Sequence, residues 1–501
     1  MSYPILPLSF YDLTARFHTQ LSKRDQLYIS GYLGRDVIRL KMDEDRFKSK
    51  WGNTLLTTRW NHVYKKGLAG NLLLIYSKYE LEAEASREGV YSSYAGSSIE
   101  DRGLGYEVLH TWGNHTIRTG IRSTHHQFMP RTRHDQVTIG QNAFHLQEKQ
   151  ELEAYENNLF VEDEWKLHER LSFNIGLRGS MWTSKQGNYQ SIEPRMSAKW
   201  SFADDWALKG SYSRMNQYMH LVSEVAGIGL PTDVWVPSSQ FAPPQQSNQW
   251  ALGIHRDIVP LGLGLSVEGY YKDMNNIVAC RPGTSLLSGN WEEGITTGQG
   301  KSYGAELLLQ RKKGKFSGWA SYTLSWTKYQ FDELNSGKEF FAKQDARHVI
   351  TLTGFYKPSP RVRLSAVWTL TSATPFYVPR TQYLIKPHQS VGETIPVGTT
   401  HAVNAMNMYG SANGNNTLEG LMVSDAGALD SFRGEANHRL DIGIQMIKPK
   451  KRGERIWELG VYNAYGAGNP LMFYGKQDGV ERSLYKVQWF AIPSVTYVRK
   501  F

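Results

Sequence analysis

"RLSFNIGLRGSMW", residues 170–182, alternates strictly: Leu171, Phe173, Ile175, Leu177 and Met181 share one parity, Ser172, Asn174, Gly176, Arg178 and Ser180 the other. A β-strand turns successive side chains to opposite faces, so this segment is a strand with one oily and one wet side. "PLGLGLSVEGYYK" (260–272) repeats the pattern, with Leu261, Leu263, Leu265, Val267 and Tyr271 opposed to Gly262, Gly264, Ser266, Glu268 and Lys272. "HRLDIGIQMIK" (438–448) sets Leu440, Ile442, Ile444 and Met446 against Asp441, Gly443 and Gln445. The end of the chain, "VQWFAIPSVTYVRKF" (487–501), reads the same way and stops on Phe501, on the parity of Tyr497.

Composition narrows what such strands can build. Of 501 residues 40% are hydrophobic and 12% aromatic, yet no window holds the roughly 18 uninterrupted apolar residues of a spanning helix. The lone Cys280 leaves no disulfide framework and no paired-cysteine metal or redox site. The net charge of +10 is concentrated in connectors, "RKKGK" (311–315) and "KPKKRGER" (448–455), which read as solvated turns with no nucleic-acid recognition module around them. Ser and His are scattered without a compact catalytic motif, so no enzyme chemistry, cofactor or metal is expected. The adjacent His125 and His126 point to opposite faces of a strand and make a poor metal pair.

The fold class follows from the connections. About 19 alternating segments can be traced, and only "EDEWKLHERL" (162–171) resembles a helix, with strand-like flanks. The linkers are alternately short (22–25, 65–70, 203–205, 357–360, 448–454) and long (36–50, 128–147, 220–244, 281–297, 375–433). That asymmetry is the mark of a transmembrane antiparallel β-barrel with tight periplasmic turns and large outer loops. Trp60, Trp112, Trp182, Trp200, Trp206, Trp326, Trp368 and Trp489 fall within or at the limits of segments, where interfacial girdles are expected. Barrels of this kind have even strand numbers and periplasmic termini. Counted back from Phe501, the first segment, Phe10–Leu21, descends, so at least one ascending strand is expected before it. The N-terminal "MSYPILPLSFYDL" has no secretory signal, and the reading is therefore of residues 1–501 as the later part of a barrel.

The stretch Ser191–Ser239 resembles the mid-barrel signature of TonB-dependent outer-membrane receptors of the Bacteroidetes type. The residues that carry this are Glu193-Pro194-Arg195, Trp206-x-Leu208-Lys209, Asn216-Gln217-Tyr218 and Gly229-Leu230-Pro231-Thr232-Asp233-x-Trp235. "QSNQWALGI" (246–254), "KSYGAELLLQRKKGKFSGWASYTLSWT" (301–327) and "NHRLDIGI" (437–444) fit the same family. The resemblance implies a barrel of about 22 strands, a width that must be plugged. It also implies a plug domain and a TonB box before the barrel, neither visible here. A Gram-negative outer-membrane location follows, with outer-membrane lipid around the wall, TonB and its inner-membrane complex as partners and a scarce nutrient as ligand: siderophore, vitamin, glycan or peptide. Phe501, with Tyr497, resembles the terminal signal by which such barrels are inserted. A passive porin or structural barrel is the alternative.

Ligand contact is expected from the loop 219–244, where Trp235 and Phe241 offer stacking surfaces near His220 and Asp233, unless that loop simply packs on the rim. Glu193, Arg195, Glu268 and Glu306 are expected to face the lumen, where they either meet the plug or pair along the wall.

Overall fold

The structure is a computed structural model and describes residues 8–42, 44–139, 142–222, 234–281, 291–376, 381–385, 421–425, 432–478, 481–488 and 491–500. Among them there is no α-helix, only two single 3₁₀ turns, Val259–Leu261 and Asn335–Gly337. The segment 162–171 that imitates a helix lies mostly in the strand Asn142–His168.

One antiparallel sheet of 20 strands forms the body, and one of these is the two-residue Phe340–Phe341. Setting that short piece aside leaves 19 wall strands, each paired with the next wall strand in the chain, from Leu8–Gln20 to Ile492–Lys500. This is a β-barrel wall of the meander kind. Its tight turns coincide with the short linkers: Lys66-Gly67 joins Asp45–Lys65 to Leu68–Arg87, and Gly67 takes φ +79°, open to glycine at no steric cost. The basic runs likewise lie at turns, between Arg311 and Phe316 and between Pro449 and Glu454. The turn expected at 357–360 sits slightly later, between Ser359 and Val362.

The faces separate as the parity requires. On the outer face Ile121, Leu159 and Ile192 are 59%, 61% and 66% exposed, while Glu193, the next residue after Ile192, turns inward and is 2% exposed. An apolar face of this extent is not left bare in water. It is bounded below by a ring of aromatics at the tight turns: Trp112 stacks on His115, His115 on Trp165 at 5.5 Å, and Phe202 on Trp206. Above, the directly paired Tyr212, Trp250, Tyr271, Tyr303 and Trp326 make a second row, with centroids 5.3–6.5 Å apart. His115 and His125 both face outward on one strand, against Trp165 and Tyr155 respectively. Ten residues at about 3.3 Å each, tilted by about 40°, span roughly 25 Å, the height of a membrane barrel's apolar band. Trp182 departs from the girdle expectation: it shares the parity of Ser180, points inward and is fully buried.

Two linkers read as long loops are mostly strand. Residues 36–50 belong largely to Asp25–Met42 and Asp45–Lys65, and 128–147 to His115–Ile139 and Asn142–His168. These strands run far beyond the 9–11 residues needed to cross a bilayer. Outside the band, cross-strand ion pairs replace apolar contacts, Lys48 with Glu84 at 2.8 Å and Lys50 with Glu82 at 2.7 Å, and polarity there hid the continuing pairing. The run 487–501 is divided: Glu481–Gln488 belongs to a separate hairpin, and Ile492–Lys500 alone is the last wall strand. Trp489 and Phe501 lie outside the described residues.

Among the described residues Leu8–Gln20 and Ile492–Lys500 each pair with a single wall neighbour and not with one another. In an antiparallel sheet with an odd number of strands the first and last run the same way.

Candidate functional site

The strand Trp206–Gln217 does not continue into open space at the outer mouth. Tyr218 folds back, and the hairpin Met219–Val222 with Val234–Pro237 lies inside the mouth against the inner wall. The wall offers an apolar seat there, Ile99, Phe128, Ala154 and Trp182, on which Tyr218 is buried and Met219 and Trp235 pack. Tyr218 stacks on Trp182 at 5.5 Å with an interplanar angle of 7°. A second apolar cluster, Val222, Val234, Val236, Ala242, Cys280, Trp291 and Ile295, closes the other side of the hairpin.

Polar anchors fix the loop at its base. Ser180 Oγ and Ser191 Oγ donate to Glu193 Oε1 at 2.6 and 2.8 Å, and the Tyr218 hydroxyl lies 2.8 Å from Ser180 Oγ and 2.9 Å from Ser191 Oγ. Tyr189 donates to the Ser239 carbonyl at 2.8 Å. Deeper in the wall beside this seat His126, 3% exposed, holds Asp101 through Nδ1 at 2.8 Å, and Arg178 holds Glu156 at 3.0 Å. His125, its neighbour, faces outward.

The residues expected to touch ligand are not equivalent. His220 is 3% exposed, with Nε2 3.0 Å from Ser238 Oγ, and burial pushes its pKa down to about 4. It is part of the loop's own core. Trp235 is half-buried against the wall seat, whereas Phe241 is half-exposed in the segment that returns from Val234–Pro237 to the wall. Asp233 lies outside the described residues. The hairpin brings His220, Trp235 and Phe241 to one end of the barrel without converging them on one point.

Of the four lumen residues, Glu193 serves the loop anchor just described. Arg195, Glu268 and Glu306 face inward and exposed. Glu268 stands directly opposite Glu306, and Lys199 directly opposite Lys209. Gly253 separates the two pairs, paired with Lys209 on one side and with Glu268 on the other. A stripe of two cations, a glycine and two carboxylates thus crosses five strands. None of the four has an ion-pair partner in the wall among the described residues. A concavity of about 340 Å³ lies over it, lined by Glu164, Asn174, Lys199, Lys209 and Glu268. Lys199 and Lys209 were not singled out from the sequence, although Lys199 shares the inward parity of Glu193 and Arg195 and would have been found by it.

Residues 7–445 match the family described as TonB dependent receptor-like, beta-barrel. The chain belongs to this family. Members are outer-membrane barrels of Gram-negative bacteria that act as receptors and transporters. The receptor wall also superposes on solved structures of low identity. They include the ferric yersiniabactin uptake receptor FyuA from Yersinia pestis (TM-score 0.65, 10% identity, 99% of this chain and 71% of that one). The ferric-catecholate import receptor Fiu from E. coli K12 gives TM-score 0.63 at 10% identity over 98% of this chain and 75% of that one. The ferric citrate transporter FecA gives 0.61 at 13% over 99% and 70%. At these identities the likeness is one of fold. No curated protein matches the chain.

Proposed function

We propose that this chain forms most of the wall of a TonB-energised importer for a scarce nutrient, of the Bacteroidetes type, with a plug domain outside the chain filling the lumen. The observation that carries this reading is the unpaired charge stripe at Lys199, Lys209, Glu268 and Glu306. Exposed like charges placed side by side in a wall repel, and are kept where a complementary surface faces them.

Strands outside the chain, odd in number, close the gap between Leu8–Gln20 and Ile492–Lys500, because both edges run the same way and antiparallel closure needs an odd insert. About three would give the 22 of a plugged transporter. Phe501 and Tyr497 serve as the insertion signal; Tyr497 lies on the outer face, 4.9 Å from Trp457. Phe241, Trp235 and Asp233 contact the ligand, with buried His220 holding the loop that carries them. The neighbours named for ferric chelates make an iron chelate the first ligand class to try, ahead of vitamin, glycan or peptide.

The test is conductance of the full-length parent in planar bilayers, alongside TonB-dependent uptake in cells. Low conductance that rises on plug deletion supports the importer; steady large channels from the intact protein identify a porin instead.

A further inference from the structure

The outer face carries a groove of about 940 Å³ that runs from the middle of the apolar band toward its upper edge. Its floor is oily: Leu104, Ile121, Leu159, Met181 and Ile192. At its centre is Gly179, paired with Leu159 on one side and Ile192 on the other, and a Cβ built there would meet no heavy atom within 4 Å. The missing side chain is what hollows the surface.

The upper margin is polar, formed by Ser123, Asn157, Gln190 and Arg214. Ser123 and Asn157 face each other, each about eight residues above the lower girdle pair His115 and Trp165, so they lie where acyl chains give way to head groups. Arg214 shares the outward parity of Tyr212, stands opposite Asn248, and has no ion-pair partner among the described residues. A guanidinium left unpaired at that depth calls for an anion, and its planar fork suits phosphate oxygens.

We propose that this groove is a fixed seat for one membrane amphiphile bearing a phosphate and acyl chains, with the chains laid over Gly179 and the phosphate on Arg214. Ser123, Asn157 and Gln190 supply hydrogen bonds to the linkage between head and chains. The assignment rests on lipid wetting the outer face and is independent of the imported ligand.

The intact protein, extracted in mild detergent, is examined by native mass spectrometry and phosphorus analysis of the retained amphiphile. About one phosphate-bearing amphiphile per protein is expected, falling at least about fivefold in Arg214→Gln and in Gly179→Phe. Leu252→Phe, on the outer face away from the groove, is expected to retain the wild-type amount. Heat-modifiable gel migration checks that each variant is a folded barrel. No retained amphiphile in the wild type, wild-type retention by either groove variant, equal loss in Leu252→Phe, or displacement by millimolar inorganic phosphate overturns the proposal.

Discussion

The Tyr218 hydroxyl sits 2.8 Å from the Ser180 hydroxyl, across 38 residues of sequence, and so ties the base of the mouth loop to the inner wall. Tyr218→Phe keeps the stack on Trp182 but removes the hydroxyl shared with Ser180 and Ser191. A loss of about 1–2 kcal/mol in loop docking is expected, read as faster chymotrypsin cleavage after Trp235 with the barrel's melting unchanged.

The same loop is expected to loosen in acid. His220 titrates near 4 when docked, because burial disfavours its charged form, against about 6.5 when free. The charged groups described nearby are few: Glu292, whose carboxyl is bonded to Ser239 and raised by burial, with the Cys280 thiol in the adjoining apolar cluster. Since the docked pKa is the lower one, the undocked loop binds the extra proton. Docking is therefore fully favourable above pH 6.5 and weakens as pH falls toward 4, by roughly 3 kcal/mol in all. Cleavage after Trp235 by an acid-active protease should rise over that window in the wild type and stay flat in His220→Phe.

Reversal of the lumen carboxylates tests the stripe. Glu268→Lys with Glu306→Lys makes both pairs flanking Gly253 cationic, so a complementary plug surface should dock less firmly. In the full-length parent, channels should appear at lower urea than in the wild type. Lys199→Glu with Lys209→Glu should act alike, and an unchanged urea threshold in both would remove the stripe from plug docking.

Lipid contact is tested by charge. Leu159 lies midway between Trp165 and Tyr155 on the outer face, and Leu159→Arg should cost about 2–4 kcal/mol in folding into vesicles. Asn174→Lys, which faces the lumen near Glu162, should fold almost as well as the wild type.

Asp345 anchors the base of the long connection that ends at Arg433. Its buried carboxylate accepts from Arg433 at 2.6 Å and from the Thr327 backbone N–H at 2.7 Å. Asp345→Asn should cost about 2–3 kcal/mol and open the peptide bond after Arg433 to trypsin, visible as a new cut before global melting.

Strand number, strand faces and the positions of the tight turns were legible because each depends on neighbours along the chain. Leu171 through Met181 declare their face by parity alone, and Lys66-Gly67 declares its turn. The outward strand extensions were misread as loops because the pairing of Lys48 with Glu84 replaces apolar contact by ion pairs, leaving no oily stripe to follow. Trp182 was misplaced for a related reason: aromatic identity suits both a girdle and a buried seat, and parity with Ser180 decides between them.

By itself the sequence determined a barrel wall with one apolar and one polar face, since period-2 alternation and alternating linker lengths are local quantities that survive any arrangement of the loops, and its motifs around Glu193-Pro194-Arg195 and Trp206-x-Leu208-Lys209 carried the resemblance to the receptor family. Only the tertiary structure decided that His220 and Glu193 hold the mouth loop rather than facing ligand or plug, and that Lys199, Lys209, Glu268 and Glu306 make one unpaired stripe. Those facts depend on register between strands and on a loop folding back over distant residues. Burial and cross-strand distance, which create them, have no local signature in the chain.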